Sequence, residues 1–193
     1  MVMHIHLSAS RLTTDALRIA AVGFTLAWVL GLAIPVPATD LDAPGHAVSA
    51  ALAGHELAFA ARALLVHGLA AVALVTVAAS LGRRARIAGL VAAALSAVQW
   101  MLESALAAGG SGSLLEAVNR IDGVKMVALA ALVLTGSHLL PRWLRAVGAI
   151  LVPALIISAA GYLALVTSLA VAAFVSLPLL LIWVTGAGLA QAR

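Results

Sequence analysis

Cysteine is absent from this chain of 193 residues, which excludes disulfides, thiolate metal sites and thiol catalysis. Charge is scarce: Asp, Glu, Lys and Arg supply 9% of the residues, where soluble domains run at about a quarter. So few charges cannot clothe a water-facing surface, and the solvent of this chain is expected to be largely lipid. Signatures of catalysis are missing too, with no HExxH, no CxxC, no phosphate-binding loop and no Ser-His-Asp set. The expectation is a non-enzymatic protein that needs no cofactor. A net charge of +4 would suit nucleic acid, but most of the basic residues stand in short loops between apolar runs. There they orient helices and meet anionic head groups, so the bilayer, and not nucleic acid, is the expected partner.

What the chain does have is apolar length: 64% of its residues are hydrophobic and its mean hydropathy is +1.17. Six apolar runs predict an all-α, polytopic membrane helix bundle, a single integral membrane domain with spans at 19–35, 58–81, 87–107, 123–140, 146–166 and 169–189. The first run covers about 26 Å at ~1.5 Å per residue. It ends in PVPATD, which resembles a small-residue cleavage site, but it exceeds the ~7–15 residues of a signal-peptide core and is read as an uncleaved span. Ahead of it, residues 1–18 form a polar lead, in which His4 and His6 are read as a frayed terminus.

Residues 36–57 form the longest loop and contain neither Lys nor Arg. Asp42 with His46, or His55 with Glu56, would make an incomplete metal site, so these are read as solvated loop residues. Residues 114–122 are expected to form a short helix along the interface, with Asp122 capping the fourth span. Pro153 and Pro178 are expected to kink the last two spans, which carry no charge, and Trp143 suits an interfacial anchor.

Arg11, Arg18, Arg83, Arg84, Arg86, Arg142, Arg145 and Arg193 fall on one side of this plan, and only Arg120 lies in a loop on the other. The positive-inside rule then places both termini in the cytoplasm. LGRRARIAG (residues 81–89) echoes LPRWLRAVG (residues 140–148) at an offset of 59 residues. Topology alone demands such basic turns, so the echo is read as coincidence and not as an internal repeat.

A charge at the centre of a span costs about 2.5–3.5 kcal/mol on insertion scales, so each one calls for a reason. Arg62, His67, Gln99, Glu103 and Lys125 come from three spans and all fall in the outer half of the membrane by helical rise. Ser96, Gln99 and Glu103 share a stripe of their helix. His67 is rotated well away from Arg62 and His55, onto a stripe with Ala60, Ala63, Ala70 and Ala71 that suits close packing. The resulting expectation is an outward-facing polar pocket with Glu103 as carboxylate, Arg62 and Lys125 as cations, and Gln99 and His67 at its floor. It would bind an anionic or zwitterionic small solute, or pass protons through Glu103 and His67. The plainer alternative is that Arg62 and Lys125 snorkel to the head groups while Glu103 merely pairs with one of them.

Two further classes stay open. The uncharged fifth and sixth spans would let the chain dock as an accessory subunit or homo-oligomer. A haem-binding redox protein would need His67 and His138 at matching depth, and their estimated depths, about 14 and 22 Å, match poorly. The stretches NRIDGVKM (residues 119–126) and VSLPLLLIWVTGAGL (residues 175–189) resemble small uncharacterised integral membrane proteins of high-GC bacteria. That resemblance implies the six-span plan and a bacterial inner-membrane location, and it brings no functional residues with it.

Overall fold

The computed structural model describes residues 3–109 and 111–193, with side chains from Thr14 onward. The polar lead's His4, His6 and Arg11 therefore lie outside the described side chains. The described residues are helical and contain no strand. We number the helices α1 (Met3–Ala33), α2 (Gly45–Leu52), α3 (Glu56–Ala79), α4 (Arg83–Gly109), α5 (Gly112–Gly136), α6 (Arg142–Ala164) and α7 (Thr167–Gln191).

Apart from the short α2, each helix packs against its neighbour in sequence, and α7 returns to pack against α1, so six long helices close into a ring. Five of them, including α1 over Thr14–Ala33, are long and apolar enough to cross a membrane. The sixth, α5, is as long as the others but carries Glu116, Arg120, Asp122 and Lys125, so it falls short of the same standard. The surface is inverted relative to a soluble protein. Ile19, Val72 and Phe174 are 72%, 69% and 81% exposed, while His67, Gln99, Lys125 and Ser158 are buried. Apolar surface outside and hydrogen-bonded polar groups inside are compatible with a membrane protein.

Small residues set the interhelical distances, as expected where lipid removes the hydrophobic drive to pack. A methyl group on Gly123 of α5 would stand 3.0 Å from the Ala159 carbonyl of α6. The ring's core is filled by Trp183, Leu144, Leu151, Leu132 and Val184, and the Trp183 indole donates to Ser137 Oγ at 3.3 Å. Arg18, Arg83, Arg84, Arg86, Arg142, Arg145 and Arg193 are all exposed at one end of the ring, here called the arginine end. Trp143 stands exposed beside them. The opposite, loop end holds residues 34–55, the start of α5 and the α6–α7 turn.

Several boundaries differ from expectation. The segment 114–122 is not a separate interfacial helix: it is continuous with the following span as α5, and Ser111, not Asp122, caps it by accepting from the Leu114 N–H. The long loop contains α2, whose Val48 and Leu52 pack on Leu106 and Leu115. Apolar residues four apart on a short amphipathic helix explain why the segment folds back onto the ring. Pro153 and Pro178 lie within α6 and α7, and neither ends its helix.

The α6–α7 turn is closed by a left-handed residue that is not glycine. Leu165 has φ 57° and ψ 37°, and the Val166 N–H reaches back to the Gly161 carbonyl at 2.8 Å. This is the geometry that glycine usually supplies, and a Cβ there costs roughly 1 kcal/mol. Leu165→Gly is accordingly expected to raise stability by up to about 1 kcal/mol. A thermal unfolding midpoint in detergent below that of the wild type would contradict this.

Candidate functional site

One cavity of about 540 Å³ opens at the loop end, and all six long helices contribute to its wall. Trp28 and Leu32 come from α1, Phe59, Arg62 and His67 from α3, and Gln99 and Glu103 from α4. Asn119, Asp122 and Lys125 come from α5, Tyr162 from α6, and Thr167, Phe174 and Ser176 from α7. Residues 36–41 cross its rim and are held there by Asn119, whose amide donates to the Leu41 carbonyl at 2.7 Å. All five residues expected to form a polar pocket, Arg62, His67, Gln99, Glu103 and Lys125, thus line the same space.

At its floor lies a chain of polar groups joining three helices. Lys125 Nζ donates to Gln99 Oε1 at 2.6 Å and lies 2.5 Å from Asp122 Oδ1 and 3.3 Å from His67 Nδ1. An ammonium group has three protons, and Lys125 meets three acceptors. Its charge is therefore compensated and its donors are spent. His67 Nε2 lies 3.3 Å from Glu103 Oε1. A single tautomer serves both contacts, with the Nδ1 lone pair accepting from Lys125 and the Nε2–H donating to Glu103. Trp28 stands edge-on to the imidazole, with ring centroids 6.2 Å apart and planes at 81°. Among the described residues, no buried side-chain nitrogen or oxygen lacks a partner. Just below Lys125 a void of about 20 Å³, bordered by Ser96 and Phe24, has room for a single water molecule.

Two sequence-based expectations are corrected here. Lys125 does not snorkel. Because α5 begins at Gly112, Lys125 stands about 20 Å along that helix at ~1.5 Å per residue, not about 3 Å from its start. Its side chain is 5% exposed. His67 is not rotated away from Arg62. Residues five apart stand about 140° apart on an α-helix of ~3.6 residues per turn, but Leu64–Leu69 forms a π-helical turn, whose i→i+5 repeat brings them round towards one face. Both side chains consequently reach the cavity. Of the expected alanine stripe, Ala63, Ala70 and Ala71 are buried with His67, and Ala60 is only partly so.

Arg62 contrasts with Lys125. It is half-buried on the cavity wall, and no carboxylate of a described residue lies within ion-pair distance of it. Asp122 and Tyr162 are cavity residues that sequence reasoning did not assign to the pocket. Asp122 shares a face of α5 with Lys125, and that i,i+3 spacing was the available signal. Tyr162 lies on α6, whose two charges, Arg142 and Arg145, stand at the opposite end, and it offered none. His55 and His138 are exposed, and His138 sits in a short 3-10 turn at the arginine end, away from the cavity. His67 and His138 are thus not brought together as a haem-ligand pair. Among the described residues, no group of three or more His, Cys, Asp or Glu side chains converges as a metal site.

The walls of the cavity formed by α1 and α7 diverge from a contact nearer the arginine end. Towards the arginine end the two helices are tied by Thr25 and Thr185, whose hydroxyls are 2.6 Å apart, and Thr185 donates to the Ala21 carbonyl at 3.0 Å. Further along, Leu32 and Phe174 line the cavity between them. Comparison with protein-family models, curated protein sequences and solved structures returns no match to the chain.

Proposed function

We propose that the chain is a six-span protein of the bacterial inner membrane, with both termini cytoplasmic, and that it binds or translocates a small solute or proton at an outward-facing cavity. The observation that carries this reading is the convergence of Arg62, His67, Gln99, Glu103 and Lys125 on one space of about 540 Å³. That size lies within the range of small-molecule sites, roughly 300–1,000 Å³. Buried ionisable groups inside apolar helices are costly, and along transport pathways and proton relays that cost serves a purpose. Here Glu103, His67, Lys125 and Asp122 run in contact from the cavity wall to its floor.

The orientation follows from the arginines. With the arginine end cytoplasmic, the rim at residues 36–41 faces outward, and α5 crosses as the sixth span with Asp122 and Lys125 turned into the ring while Glu116 and Arg120 pair with each other on its exposed side. Glu103 is the working carboxylate in this reading, because its Oε2 has no partner among the described residues while its Oε1 meets His67. Glu103→Gln is expected to abolish solute binding, seen by native mass spectrometry from mild detergent, or proton coupling, seen as a pH change in proteoliposomes. Expression and thermal stability should stay near wild type. A Glu103→Gln variant that matches the wild type in both assays would sink the reading.

A further inference from the structure

The cavity has two cations, and only one of them can take a ligand. Lys125 has committed its three protons to Asp122, Gln99 and His67. Arg62 has committed none of its five N–H groups to a described carboxylate, although it reaches the same space. Tyr162 lines the same cavity from the facing helix. Its hydroxyl forms no hydrogen bond to a described residue. A guanidinium and a phenol that face one space without partners form a site for an oxyanion.

The surroundings narrow the class further. Asp40, Glu103 and Asp122 also line the cavity, so a dianion would meet repulsion that one guanidinium cannot offset. Much of the remaining wall is apolar, with Trp28, Phe59, Val66, Leu129, Phe174 and Leu180. Resting on the binding reading above, we propose that the cavity takes an organic monoanion with an apolar body, its carboxylate seated on the Arg62 guanidinium and the Tyr162 hydroxyl. Such a ligand is either a short-chain acid from water or a fatty acid from the bilayer. Both present the same head group.

The test is equilibrium binding of radiolabelled octanoate to the intact protein in lipid nanodiscs. Competition by hexanoate, oleate and octylammonium is measured in parallel. Saturable binding of one octanoate per chain is expected, displaced by other carboxylates and not by octylammonium. Arg62→Gln should weaken it by roughly tenfold or more, the loss of one charge-assisted contact. Arg62→Lys should retain part of the affinity, and both variants should fold, since Arg62 carries no internal ion pair. Stronger competition by hexanoate assigns an aqueous acid, and stronger competition by oleate assigns a bilayer lipid. Equal displacement by octylammonium, unchanged affinity in Arg62→Gln, or no saturable binding overturns the proposal. If octanoate fails while native mass spectra show another solute that Glu103→Gln loses, the anion assignment falls and the cavity's binding role stands. If octanoate binding depends on Arg62 but the Glu103→Gln variant matches the wild type, the reverse holds.

Discussion

Replacing Lys125 with methionine is expected to destabilise the protein by about 3–5 kcal/mol, the usual cost of removing one partner from a buried ion pair. Methionine fills nearly the same volume, so packing is not the cause. The loss arises because Asp122, Gln99 and His67 each give up a donor, and the Asp122 carboxylate, 14% exposed, keeps a charge with nothing opposite. The apparent melting temperature in detergent should fall on the order of 10 °C. A second substitution makes the argument specific. Lys125→Met combined with Asp122→Leu removes both charges, and buried pairs replaced together by apolar groups are often close to neutral. The double variant should therefore recover at least half of the lost stability. If Lys125→Met melts like the wild type, Lys125 is not the hub described above.

Gly161→Ala is expected to cost about 1–3 kcal/mol by overpacking and to disturb the cavity as well. A Cβ at Gly161 would run into the backbone nitrogen of Ala170 and lie 2.7 Å from the Leu169 carbonyl carbon. Those are main-chain atoms in the first turn of α7, so no rotamer change relieves the clash. The turn itself must retreat, taking Thr167, Ala170 and Val171 of the cavity wall with it. Gly23→Ala supplies the contrast. It lies within α1 with nothing within 4 Å of its would-be Cβ, and alanine in a helix interior is expected to gain about 0.5–1 kcal/mol over glycine. Thermal melts of the two variants should move in opposite directions. Equal shifts would mean that helix propensity, and not the α6–α7 approach, sets stability at Gly161.

The helical plan and the makeup of the cavity were legible in the chain for one physical reason. In apolar helices every charge stands out, and charges at similar depth on neighbouring helices tend to meet. That logic alone groups Arg62, His67, Gln99, Glu103 and Lys125. It failed where the period of the helix changed. The π-helical turn at Leu64–Leu69 leaves no mark in an alanine- and leucine-rich run, and without it Arg62 and His67 fall on different faces. It failed again where two signals competed. Asp122 resembles an N-cap, yet Ser111 is the better-placed one, and the whole polar stretch 114–122 joins the span behind it. That extension moved Lys125 from the expected helix end to the middle of α5, which turned a snorkelling side chain into the hub of the floor. Tyr162 went unassigned because its role depends on which helix it faces, and neither charge nor spacing encodes that.

The polar face of α5 also bears on how such a chain could be built. A helix carrying Glu116, Arg120, Asp122 and Lys125 partitions poorly into lipid on its own. Its Lys125 is met by Gln99 of the preceding helix and by His67 of the one before that, both synthesised earlier. For a protein made from its N-terminus, α3 and α4 would therefore already be present as a template when α5 emerges. Under the six-span reading proposed above, insertion of α5 then becomes a docking event, with Lys125 as its latch. The same contacts that shape the floor of the cavity would serve as a checkpoint in biogenesis, at which a chain with a mismatched latch stalls before its last two helices enter.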